Sequence, residues 1–206
     1  MEPGLGDILR KEAYNSEWIS VSWHEAGHCI YALLHHRKVT SVRVYLDKDI
    51  DRIVGETNYD GLCIDDIHDN IARKEYIDCD IGLSYAGLIA EKRHYKLSSG
   101  SDVFPAVLYD AYYDSRDASK LIVKYDVAPP GKARINYKAR IKRKVAKELE
   151  ANWNDVSLIA HALFKRKRLS LDDLRGILTK KSDDNEGWKE RFVEINDLYC
   201  EPIDKG

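Results

Sequence analysis

The segment Ser16–His36 constrains this chain more than any other stretch, because its apolar residues allow only one regular structure. Ile19, Trp23, Ile30, Leu33 and Leu34 recur at helical spacing, and Ser16 followed by Glu17 reads as a capped first turn. Two histidines, His24 and His28, stand four residues apart in this pattern, so a helix puts both imidazoles on one face. Glu25 follows the first of them directly, and Ala26 and Gly27 leave room for a second element to approach closely. Solvated or simply hydrogen-bonded histidines are the alternative reading. Unpaired imidazoles are costly to bury in so apolar a helix, which favours a shared ligand. A zinc ion fits the spacing, with His24 and His28 as ligands and Glu25 beside the metal as a general base. A catalytic zinc site also needs a third protein ligand and an open position.

The remainder of the chain reads as alternating short elements. Residues 39–47 place Val42, Val44 and Leu46 on one face of a strand. Residues 52–57 form a second candidate strand, in which Gly55 marks a bulge or a close backbone approach. Helices are expected over about 66–95, 102–125 and 135–164, and a short capped one over 169–178. Pro129, Pro130 and Gly131 make the best internal boundary. The expected fold class is α+β, mostly helical, with one small sheet. The expected organisation is an N-terminal arm (1–15), a catalytic region (16–128), a helical region packed on it (132–180), and a polar linker and tail (181–206).

Composition narrows the function classes. The net charge of −2 gives no global field for nucleic acid or an anionic membrane. The basic stretches at 131–147 and 165–168 read as solvated helix faces, so no nucleic-acid partner is expected. No apolar run approaches the roughly 20 residues of a membrane span. The first fifteen residues lack a signal-peptide core. The four cysteines form no Cys-x-x-Cys pair. A cytoplasmic protein with reduced thiols is expected.

The motif and its surroundings resemble the peptidase domain of the FtsH-type ATP-dependent zinc proteases. WHEAGHCIYALL is similar to that family's metal helix, and KVTSVRVYLD with IVGET to its strand and glycine-containing edge strand. SYAGLIAEKR resembles its AG-x-x-AE-E helix, KLSSGSD the segment that ends in its third zinc ligand, and ELEANWNDVSLIAHALFKRKRLSLDDL its closing helices. The resemblance covers roughly residues 17–178. It implies a zincin-like catalytic region with C-terminal packing helices, Zn²⁺ as cofactor, and a peptide or protein substrate. It also implies Asp102 as third ligand, since Asp102 follows Ser98, Ser99 and Gly100 and has Ala106 four residues on. Asp114 is the runner-up, on a stripe with Ala118, Leu121, Ile122 and Tyr125, and Asp117 and Glu91 follow. There are departures. Lys92 stands where the family has a second glutamate, and no G-x-x-x-x-G-K-[ST] phosphate loop occurs, so no ATP use is expected. Two competing readings keep the same fold: a non-catalytic binding or adaptor module, and a peptidase restricted to one regulatory partner.

Overall fold

The computed structural model describes residues 5–61, 67–99, 109–180 and 187–192. They form a mostly helical α+β fold with one small antiparallel sheet. In chain order the elements are α1 (Leu5–Leu34), β1 (Lys38–Asp47), β2 (Arg52–Asp60), α2 (Asn70–Ser99), α3 (Tyr109–Lys124), α4 (Lys132–Ala151), α5 (Trp153–Arg166), β3 (Arg168–Ser170) and α6 (Leu171–Thr179). None of the described helices is long and apolar enough to cross a membrane.

Helix α1 is the central element. It begins at Leu5, not at Ser16, so residues 5–15 continue the metal-motif helix instead of forming a separate arm. No proline interrupts residues 5–34, and Ser16 is carried through as an ordinary helical residue. The helix ends where His36 takes the left-handed conformation (φ 57°) and the Arg37 N–H donates to the Ala32 carbonyl at 2.9 Å. Ala26, Cys29, Ile30, Tyr31 and Leu33 are fully buried. Helix α2 runs antiparallel to α1, pairing Ser20 with Glu91 at one end and Tyr31 with Gly82 at the other. The two backbones come close at Gly27. A Cβ there would lie 2.6 Å from both the Ala86 carbonyl oxygen and the Ala90 Cβ, so any side chain would force the helices apart.

The sheet order is β2-β1-β3, with all pairs antiparallel. Its irregularity falls between Val39 and Ser41, not at Gly55, which stands in register with Val44. The shift brings Val39 to the buried side together with Val42 and Val44 despite their odd spacing. Strand β3 was not expected. Three residues are too few to show a periodicity, and Arg168-Leu169-Ser170 is recruited by pairing with Ser41–Arg43 of β1. Ser170 then caps α6 in a reciprocal capping box with Asp173, as the sequence had suggested for a helix there.

The expected helix over 135–164 is two helices. Asn152 (φ −112°) interrupts it, and both its N–H and its side-chain amide donate to the Glu148 carbonyl, the latter at 2.8 Å. Asparagine competes in this way with continued helix, and the turn lets α5 approach α1. There Trp153 stacks on Trp23 at 5.0 Å between ring centroids. A single buried cluster runs from Trp23 through Val145 and Leu163 to Leu178, so residues 132–180 share one core with the metal-motif half. Of the stretch expected to be polar linker and tail, residues 187–192 are helical. Trp188 and Phe192 are buried against this core, and the Trp188 indole N–H donates to Asp155 Oδ2 at 3.0 Å.

Candidate metal centre

Three helices and one strand meet around a cavity of about 330 Å³ lined by His24, Glu25, His28, Gly55, Thr57 and Asp114, among others. The imidazole Nε2 atoms of His24 and His28 lie 3.0 Å apart. Asp114 Oδ2 completes a triangle, 2.9 Å from His24 Nε2 and 3.1 Å from His28 Nε2. Helix α3 aims Asp114 there because Ala118 and Ile122, four and eight residues further on, are buried against the core. Asp102 lies outside the described residues. Asp117 lines the cavity but accepts from Lys120 at 2.6 Å on the exposed side of α3.

The ring orientations are set from behind. His28 Nδ1 pairs with the Leu83 carbonyl at 2.8 Å, and His24 Nδ1 lies 3.3 Å from Glu91 Oε2. Both contacts favour a proton on Nδ1 and turn Nε2 toward the cavity. Glu91 is 1% exposed, and its other oxygen accepts from the Ser20 hydroxyl. It therefore supports His24 from α2 and does not face the triangle. Gly87 is required at the same place, since a Cβ on it would lie 2.4 Å from His28 Nε2 and 2.5 Å from His24 Nε2.

Glu25 takes a different position. The Thr57 hydroxyl donates to its Oε2 at 2.6 Å, and a Cβ on Gly55 would sit 2.3 Å from its Cγ. Strand β2 therefore needs glycine at position 55 to let the carboxylate lie flat against it. Burial pushes the Glu25 carboxyl above the usual carboxylate range, against the opposing pull of both imidazoles and Thr57. Burial by itself would lower His24, but its hydrogen bonds to the Asp114 and Glu91 carboxylates outweigh it and raise His24 well above the ordinary value. Burial would likewise raise Asp114, yet the His28 and His24 imidazoles hold it far below the usual range.

His24, Glu25 and His28 offer ligand atoms that all lie within 4.8 Å of one another, so this cluster could hold a metal ion. The chemistry of the set fits zinc. Zinc–ligand bonds of about 2.0–2.2 Å in a tetrahedron put neighbouring donors roughly 3.3–3.6 Å apart, a few tenths of an ångström wider than the triangle of the two imidazoles and Asp114. Glu25 is the poorer member of such a set, because Thr57 already engages its carboxylate whereas Asp114 touches both imidazoles.

His24, Glu25 and His28 converge as the helical spacing had implied. Ser20 and Leu83 carried no pattern that pointed to the site, and Gly87 and Thr57 entered only within the segments SYAGLIAEKR and IVGET, because each acts across a contact between elements. Glu91 had entered only as a remote candidate ligand. If it positions His24, Glu91→Gln should weaken metal binding by about 10–100-fold while leaving stoichiometry at saturation unchanged, as measured by competition with a chromogenic chelator. Complete loss of saturable binding would instead make Glu91 a ligand.

Compared with known proteins, the chain matches no family model and no curated protein sequence.

Proposed function

We propose that the protein is a zinc-dependent peptidase of the FtsH type, with His24, His28 and Asp114 holding the metal and Glu25 acting as general base. The triangle of two imidazole nitrogens and one carboxylate oxygen, with a second, separately held carboxylate beside it, carries this reading. Zinc, when bound, polarises the scissile carbonyl and lowers the pKa of water to about 7. Glu25 takes a proton from the attacking water and returns it to the leaving amine nitrogen. Thr57 holds one carboxylate oxygen of Glu25 and leaves the other for that transfer.

Strand β2 supports a peptide substrate. It is an outer strand of the sheet, paired on one side to β1, and Gly55, Glu56, Thr57 and Tyr59 line the cavity. An extended peptide can add to such an edge through main-chain hydrogen bonds, which places a peptide bond beside Glu25. Short or unfolded peptides suit this arrangement best.

The reading is tested first on metal. The isolated protein should carry about one zinc per chain by elemental analysis, and His24→Ala or His28→Ala should abolish it. Full zinc content in either variant would place the metal elsewhere.

A further inference from the structure

Helix α4 concentrates charge of one sign. It holds eight lysines and arginines and two glutamates, so +6 sits on one helix of a protein whose net charge is −2. No acid interrupts residues 132–147. A merely solvated face, the expectation from sequence, interleaves acids at three- and four-residue spacing, and the first acid in α4 is Glu148. Ile141, Val145 and Leu149 are buried against the core. The opposite face therefore points outward, and it presents Lys132, Asn136, Ala139, Arg143, Ala146 and Lys147, all exposed.

Among the described residues, Lys132, Arg143 and Lys147, with Lys142 on the flank, enter no ion pair, whereas Arg140 is held by Asp78 and Lys144 by Glu148. The Lys142 ammonium stands 4.6 Å from the centre of the Tyr85 ring. Burial, Lys92 and Lys138 pull Lys142 below the ordinary lysine range, so like charges crowd there and an anion laid on the face relieves the crowding. The field of such a face acts within about 8 Å at physiological salt, so the chain's small net charge is no bar to it.

The shape of the face selects among polyanions. From Lys132 to Lys147 it runs along one unbroken helix, about 22 Å at 1.5 Å per residue. A duplex strand offers a phosphate about every 3.4 Å of its axis, so regular charge faces the whole length. Asn136, Ala139 and Ala146 leave no tall side chain between the cations, so a rigid rod can lie close. A membrane needs apolar side chains to insert, and the apolar stripe of α4 is taken up by the core, with Ile135 its one large apolar residue exposed. A single strand needs aromatic faces to stack on, and Tyr137, the one aromatic residue of α4, is half-buried and donates its hydroxyl to Asp78. We propose that the outward face of α4 binds duplex nucleic acid through the phosphate backbone, without reading its sequence. No residue of this face lines the metal cavity, so the binding is independent of the peptidase reading.

The test is fluorescence anisotropy of the full chain with a short labelled DNA duplex of arbitrary sequence. The unlabelled competitors are an RNA duplex of that sequence, its single strand, poly-glutamate and phosphatidylserine vesicles. Four cations at about 0.9 each give a log–log salt slope of about −3.6, a loss of roughly 150-fold between about 50 and 200 mM salt. Changing Lys132, Arg143 and Lys147 together to Glu alters exposed positions only, so thermal melting should hold while most binding is lost. Arg143→Gln, a smaller change, should reduce the slope by about 1. Changing Lys48, Lys165 and Arg168 together to Glu shifts the net charge equally at exposed positions off α4, and should keep most binding. Equal loss in the two triple variants, or an unchanged slope in Arg143→Gln, would overturn the face. No saturable binding, or displacement by single strand, poly-glutamate or vesicles as readily as by duplex, would overturn the duplex. Whichever of the DNA and RNA duplexes binds more tightly names the source, and either supports the proposal.

Discussion

Glu25→Gln is expected to abolish most peptide hydrolysis while leaving zinc content and thermal stability close to those of the parent. Glutamine is nearly the same shape and its carbonyl can still accept from Thr57, so the packing against Gly55 survives. What it loses is the ability to take a proton from water. General acid–base catalysis is typically worth about 10²–10⁴-fold, so kcat should fall by at least that order with little change in KM. The measurement needs a peptide that the parent protein cleaves, followed by single-turnover assays on both proteins at equal zinc occupancy. Turnover within a few-fold of the parent would sink Glu25 as the base. A binding or adaptor module predicts a different pattern, in which no peptide is cleaved by either protein and partner binding survives Glu25→Gln.

The next largest effect is expected at the third ligand. Asp114→Ala removes a donor that touches both imidazoles, so its cost in metal affinity should exceed the roughly 10–100-fold typical of an outer partner. The same change leaves Ala118 and Ile122 in the core, and α3 should stay folded by circular dichroism. Asp102→Ala is the matched comparison, because the family resemblance points to Asp102 and the geometry of the described residues points to Asp114. Strong loss of zinc from Asp114→Ala with little loss from Asp102→Ala would mean that this chain carries an insertion before its ligand helix. The reverse pattern would return the ligand to Asp102 and leave Asp114 as a partner of the two histidines.

Much of the candidate site was legible in one helix. Four-residue spacing settles that His24 and His28 share a face, and the residue after the first histidine falls beside that face, whatever the rest of the chain does. The stripe from Asp114 to Tyr125 was equally visible, since a helix that buries Ala118 and Ile122 turns Asp114 the same way. The fold class followed from local patterns as well. Alternation of Val42, Val44 and Leu46 marked β1, the short run RIVGET marked β2, and spacing by three and four marked the helices.

Local pattern ran out where a residue's role depends on a distant partner. Asn152 looked like one polar residue in a long helix, and only the approach of Trp153 to Trp23 makes its break useful. Strand β3 exists because β1 offers it an edge, and Trp188 is buried because α5 offers Asp155. By itself, the sequence determined which side chains each helix and strand presents on a common face, because backbone geometry repeats every few residues. The tertiary structure alone decided which faces meet: Glu91 behind His24, Gly87 beneath both imidazoles, Thr57 on Glu25, and Asp114 across from the pair. Those contacts join residues up to 90 positions apart, and their energies depend on burial and close approach that no local spacing encodes.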